Sequence, residues 1–168
     1  MIDPKDVSFS EVQESDFEDF KRLRKQVIRE HTDRQGLPWD EEAEDVYHRE
    51  LFDAEGMRAV SFKGQRVGYV GVREDKANDT VVIGRLCIEP DFQNKGIGTQ
   101  VFEKIFAELQ NKGKRFFLDV LLQNYATRLY EQLGFIRVGE DDKLAYYQRS
   151  ADTHSSKREK SFSKPSLI

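Results

Sequence analysis

The chain reads as an α/β domain, and three observations predict that class. Strand-period and helix-period apolar patterns alternate along its length. A glycine-containing turn, Gln93-Asn94-Lys95-Gly96-Ile97-Gly98-Thr99, stands between an apolar run ending Leu86-Cys87-Ile88-Glu89-Pro90 and a helical pattern that opens at Ile97. The length, 168 residues, suits one domain with its own core.

Val7 to Val12 reads as a short strand, and Asp16 as the N-cap of a helix with Phe17, Phe20, Leu23, Val27 and Ile28 at helical spacing. His31 to Pro38 breaks that helix. Asp40 caps a second one reaching about Phe52, with Ala43, Val46, Tyr47 and Leu51 expected inward. Arg58 to Lys63 and Arg66 to Glu74 flank Gly64-Gln65, a pair suited to a type II′ hairpin turn. After Lys76-Ala77-Asn78-Asp79-Thr80 comes the strand Val81 to Ile88. The long helix that follows carries Ile97, Val101, Phe102, Ile105, Phe106 and Leu109 on one face and ends at Lys112-Gly113. Arg115 to Leu122 reads as a buried strand, Tyr125 to Leu133 as a short helix, and Phe135 to Gly139 with Lys143 to Arg149 as a final strand pair. From Ser150 the chain loses apolar periodicity. Residues 1–149 are therefore expected to form the domain, and 150–168 a polar, basic, disordered tail.

Composition excludes several classes. Formal net charge is −4, which argues against a nucleic-acid footprint. No apolar run approaches the roughly 18 residues that a membrane span needs, and the first residues lack the basic and apolar regions of a signal peptide, so a cytoplasmic location is expected. The single Cys87 has no internal disulfide partner, in keeping with a reducing compartment. His31, His48 and His154 have no metal-ligand spacing, and no metal is expected.

The glycine turn carries the strongest functional signal. A helix that starts directly after a strand presents unsatisfied N–H groups and the positive end of its dipole, and glycines remove the side chains that would keep a pyrophosphate away. Lys95 adds a mobile positive charge. The pattern has neither the Gly-Lys-Ser/Thr ending of a Walker A loop nor the G-x-G-x-x-G of a dinucleotide fold. Its Q-x-x-G-x-G form resembles the acyl-CoA pyrophosphate loop of the GCN5-related N-acetyltransferases, the GNAT superfamily. Downstream, Asn124-Tyr125-Ala126-Thr127-Arg128-Leu129-Tyr130-Glu131-Gln132-Leu133-Gly134-Phe135 resembles the second GNAT signature, with the right order and separation. The resemblance implies a single GNAT domain with a mixed central β-sheet flanked by helices, in the order β-α-α-β-β-β-α-β-α-β-β.

The same resemblance implies acetyl-CoA as cosubstrate and a primary amine as acceptor. The backbone of Cys87 and Ile88 would bind pantetheine. The N–H groups of Lys95, Gly96, Ile97, Gly98 and Thr99 would take the pyrophosphate, with Gln93 at the edge of that cradle. Asn124 would contact the pantetheine arm, although it stands six residues before Tyr130 where many members have seven. Tyr130 would be the general acid that protonates the leaving thiolate. It also reads as a core aromatic at helical spacing with Ala126 and Leu133. Asp119 and Glu89 are the candidate bases, beside a water chain or plain strand-end roles for both. Trp39 would wall the acceptor site, or staple its loop to the core, and the acids Asp40, Glu41 and Glu42 would attract a cationic amine or favour a helix dipole. Arg85, expected on the exposed face of its strand, would pair with an acceptor carboxylate or with Asp119. A CoA-binding regulatory or interaction module without turnover is the alternative function, and an adaptor acting through the basic tail a third. Homodimers are common in the superfamily.

Overall fold

The computed structural model describes residues 2–112, 115–124 and 126–151. The expected disordered tail, apart from Ser150 and Ala151, lies outside the described residues, as do the proposed helix end at Gly113 and helix start at Tyr125. Eleven elements follow in the expected order: β1 (Val7–Glu11), α1 (Phe17–Gln35), α2 (Glu41–Asp53), β2 (Met57–Phe62), β3 (Gln65–Asp75), β4 (Thr80–Ile88), α3 (Ile97–Leu109), β5 (Arg115–Leu121), α4 (Thr127–Gln132), β6 (Ile136–Glu140) and β7 (Leu144–Ser150). Short 3-10 turns precede β1, α1 and the glycine loop.

One seven-stranded sheet has the order β1-β2-β3-β4-β5-β7-β6. Its pairs are antiparallel except β4 with β5, which are parallel and pair only at Thr80–Arg115, Val81–Phe116 and Val82–Phe117. Beyond those residues the two strands part. The gap falls in the middle of the sheet and opens toward the ends of β4 and β5. A bulge in β4 lies just before the gap's mouth: Tyr69 pairs with Cys87 and Gly71 with Gly84, leaving Arg85 and Leu86 opposite Val70, with Arg85 at φ 56°.

Each face of the sheet is covered by a different layer. On one, α3 buries Ile97, Val101, Phe102, Ile105, Phe106 and Leu109, the stripe its periodicity predicts, against Val70, Ile83, Phe116, Leu118 and Tyr147. On the other, α1 and α2 pack Phe20, Leu23, Leu51 and Phe52 on Ala59, Tyr69 and Cys87. α1 ends because Gly36 takes a left-handed conformation, φ 70°, which lets its N–H reach the Asp33 carbonyl and the Leu37 N–H that of Thr32.

Three local expectations are corrected. α1 does not break at His31 but stays helical to Gln35, because no glycine or proline interrupts it before Gly36. The α2 face that turns inward carries His48, Leu51 and Phe52, while Ala43, Val46 and Tyr47 are exposed. The helix is rolled so that its paired aromatics meet Phe20 and Phe17. The β2–β3 hairpin turns on Lys63-Gly64, both at positive φ (51° and 81°), which is type I′ rather than the II′ turn expected at Gly64-Gln65. The I′ turn matches the right-handed twist of the strands it joins.

Candidate active site

The parted strands expose backbone groups. Glu89 N–H donates to the Val67 carbonyl at 2.8 Å, so strand alternation turns the Ile88 N–H and C=O the other way, toward the gap. The Ile88 carbonyl is taken by Gln93 Nε2 at 2.9 Å. Gln93 thus reaches back to the strand end, while its loop leads into α3.

That loop is shaped by two left-handed residues, Asn94 (φ 59°) and Gly96 (φ 88°), which turn the chain sharply into the helix. The first turn is bonded through Gln100 N–H to the Gly96 carbonyl, so the N–H groups of Ile97, Gly98 and Thr99 have no acceptor within α3. The first turn holds no acid to offset the dipole. Lys95 lies beside it with Nζ 5.6 Å above the Phe92 ring. A Cβ on Gly98 would stand 3.5 Å from Leu129 Cδ2. This contact joins the two sequence motifs, because Leu129 belongs to α4.

α4 is set by Asn124. Its N–H donates to the Leu121 carbonyl at 2.9 Å, and its Oδ1 accepts the Ala126 N–H at 2.8 Å, which turns the chain from β5 into the helix. Tyr130 is 7% exposed and packs on Phe102, Tyr147 and Phe135 at centroid distances of 5.9, 5.9 and 6.3 Å. Its hydroxyl has no protein hydrogen-bond partner among the described residues. Burial first, then Tyr147 and the Asp119 charge, raise its pKa, so it carries its proton throughout the neutral range.

The two carboxylate candidates differ in situation. Asp119 alternates with the core residues Leu118 and Val120 and therefore faces the α1/α2 side, opposite Tyr146 on β7. It lies two residues past the last paired position of β5, as Gly84 does on β4, so the two stand level across the gap. Glu89 is ion-paired with Arg22, which also holds Asp19 at 2.9 Å, and Asp19 accepts the Tyr69 hydroxyl at 2.7 Å. This Glu89–Arg22–Asp19–Tyr69 chain was not legible in the sequence. It gives Glu89 an anchoring partner on α1.

The substrate-side expectations are partly corrected. Trp39 is pinned within its own region, donating from Nε1 to Glu41 at 2.8 Å beneath the Arg29 guanidinium, 4.7 Å from the ring centroid. Asp40 caps α2 through the Ala43 N–H, and Glu41 binds Lys25. These two acids are engaged by the protein itself. Arg85 is half-buried rather than on an exposed face, and among the described residues no carboxylate lies within ion-pair distance of it. Its bulged, left-handed backbone sends the guanidinium over Gly71 to the end of α2, where it donates to the carbonyls of Leu51, Ala54 and Glu55 at 2.8, 3.2 and 2.9 Å. Burial, with Arg73 and Arg24 nearby, lowers it to about 10. Cys87 is 2% exposed among Phe20, Leu23 and Tyr69, and burial pushes its thiol up to about 12, so it packs rather than reacts.

The far wall of the gap is α1. Its C-terminal turn reaches the β5–α4 and β6–β7 turns, with Arg34 donating to the Gln123 carbonyl at 3.1 Å and Gln35 to that of Lys143 at 2.9 Å. A concavity of about 610 Å³ lined by Glu55, Arg58, Arg73, Glu74, Lys76 and Glu108 contains no motif residue. Among the described residues no group of three His, Cys, Asp or Glu could hold a metal ion, and no helix is long and apolar enough to cross a membrane.

The parted parallel pair thus stands beside a glycine-opened helix. Residues 21–135 match the Acetyltransferase (GNAT) family, and the chain belongs to it. It is similar to N-acetylaspartate synthetase of Danio rerio (33% identical; 48% of this chain, 29% of that protein). It is also similar to the [ribosomal protein bS18]-alanine N-acetyltransferase of Salmonella typhimurium (28%; 59% and 65%) and the probable spermine N(1)-acetyltransferase of Bacillus subtilis subsp. natto (35%; 41% and 47%). The matches thus span less than two thirds of each relative's length. The PaiA N-acetyltransferase of Thermoplasma acidophilum, solved in complex with coenzyme A, shares the fold (TM-score 0.66, 16% identity, 86% of this chain and 98% of that one).

Proposed function

We propose that this chain transfers an acetyl group from acetyl-CoA to a primary amine of a small molecule or peptide by direct attack. The observation that carries the reading is that the Ile88 N–H faces the gap between β4 and β5 while the N–H groups that open α3 have no acceptor within that helix. Curated relatives named for amine acetylation and a fold neighbour holding coenzyme A support it.

The residues present fit the donor. The N–H groups of Lys95 to Thr99 would hold the pyrophosphate, with Gly98 leaving room where a larger side chain would intrude. The gap-facing edge of β4 at Cys87 and Ile88, together with Asn124, would hold the pantetheine arm. The Ile88 N–H would donate to the thioester oxygen as negative charge develops there, a contribution of about 10²–10³-fold for one such donor. Tyr130 would give its proton to the departing thiolate, worth about 10²–10⁴-fold. Asp119, level with Gly84 on the acceptor side, would take the ammonium proton directly or through water. Glu89 fits that task less well because Arg22 holds it.

Titrating acetyl-CoA, CoA and ATP while following the melting temperature tests the donor site. A ligand at about 100 times its dissociation constant stabilises the fold by roughly 2.7 kcal/mol. Acetyl-CoA and CoA should raise the melting temperature by several degrees and ATP should not. No shift with any of them would remove the reading.

A further inference from the structure

The basic residues of α1 and α2 are, with one exception, matched to acids. Lys21 pairs with Glu18, Arg22 with Asp19 and Glu89, Lys25 with Glu41 and Asp45, Arg29 with Asp33 and Glu41, Arg34 with Glu30, and Arg49 with Glu14 and Asp53. Arg24 is the exception. It turns its guanidinium to within 5.7 Å of the Tyr47 ring, between the two helices and above β4. Its Nη1 is buried and has no hydrogen-bond partner among the described residues.

Arg73 on β3 and Arg85 on β4 lie beneath it on the same face of the sheet. Arg73 pairs across to Val82, and its Nη2 is likewise buried and unpartnered. Arg85 donates to carbonyls and to the Met57 sulfur and feels both other charges, which act with burial to lower its pKa. None of the three has a carboxylate within ion-pair distance among the described residues. Three guanidiniums sharing a partly buried face repel one another, and two buried donors left unmade add to the cost of that arrangement. Next to them the sheet is open: a Cβ on Gly84 would meet nothing within 4 Å. Asp119 stands level with that opening across the gap. The face therefore presents a cationic side and an acidic side flanking an open floor at the mouth of the parted strands.

We propose that Arg24, with Arg73 and Arg85 behind it, forms the recognition site for a carboxylate on the acceptor, so that the acceptor is an amine that also bears a carboxylate group. This rests on the acetyltransferase reading above and names the acceptor class for the same site. The carboxylate takes the free Arg24 and Arg73 donors, and the amine points toward Asp119 and the gap. A polyamine, cationic at every group, is disfavoured by the same charges.

The test reads binding first and turnover second. Isothermal titration of the protein, with and without CoA, compares succinate, succinamide and spermidine, in the native chain and in Arg24→Gln and Arg24→Lys. Succinate should bind, with succinamide and spermidine at least about tenfold weaker. Arg24→Gln should weaken succinate about 10- to 100-fold, as loss of a charged hydrogen bond does, with Arg24→Lys between. Acetyl-CoA affinity should stay within about twofold in both variants, which shows that they fold and retain the donor site. In turnover with acetyl-CoA, 4-aminobutanoate should exceed butylamine in kcat/KM by about tenfold or more, and Arg24→Gln should erase the difference through KM. Equal binding of succinate and succinamide, tighter spermidine, or an unaltered Arg24→Gln overturns the carboxylate assignment. Succinate binding in a chain that fails to bind acetyl-CoA supports the anion site and overturns the acetyltransferase reading instead.

Discussion

Gln93 donates from Nε2 to the carbonyl oxygen of Ile88 at 2.9 Å. This bond fixes the end of β4 to the loop that opens α3, so the strand edge that would hold a thioester and the helix start that would hold a pyrophosphate keep one separation. Gln93→Ala removes a partly buried hydrogen bond worth about 1 kcal/mol. Urea unfolding should show that loss, and titration should show acetyl-CoA binding weakened about five- to tenfold. Unaltered affinity would assign Gln93 to loop stability alone.

Gly98 touches Leu129 at ordinary van der Waals distance from where its Cβ would lie. An alanine is therefore accommodated, whereas Gly98→Leu would have to push α4 or fill the cradle. Acetyl-CoA affinity should fall by at least about tenfold in Gly98→Leu and change little in Gly98→Ala. Equal effects of the two would point away from a steric cradle.

Tyr130→Phe removes a hydroxyl that has no protein partner among the described residues, so the melting temperature should stay within about two degrees. Turnover should drop about 10²-fold or more with acetyl-CoA affinity retained. The raised pKa has a second consequence. The folded phenol holds its proton where the unfolded one loses it, so stability should decline as pH rises above about 10. Tyr130→Phe should flatten part of that decline.

Arg85 closes the C-terminal end of α2 across the sheet, and removing it leaves three carbonyls without that donor. Arg85→Met should lose about 1–3 kcal/mol of stability in urea, reduced by the relief of repulsion from Arg73 and Arg24. If stability were unchanged, the guanidinium would have to be reserved for a ligand.

His48 is fully buried, and its Nδ1–H donates to the Glu44 carbonyl at 2.6 Å. Burial outweighs that bond and lowers its pKa. Below about 6.5 the unfolded chain binds a proton that the folded chain resists, so stability should fall as pH drops below that value. His48→Phe should reduce this acid sensitivity, measured as unfolding midpoints between pH 7 and 5. His31, also lowered by burial, leaves a residual slope.

The sequence by itself determined the features that neighbouring residues control. The α3 stripe, the order of the eleven elements and the two motifs rest on periodicity and glycine geometry within a few positions. The tertiary structure decided what those segments meet. The roll of α2 toward His48, Leu51 and Phe52 depends on the Phe20 surface it packs against, since Val46 and Tyr47 are no less apolar as letters. The Arg85 contact with α2 spans some 30 positions, and the Glu89–Arg22 pair 67. Neither leaves a local trace, because a charged side chain's partner is set by which elements are packed together. Arg24 illustrates the same limit: its spacing places it beside the apolar stripe of α1, and only the assembled face shows that no acid among the described residues pairs with it.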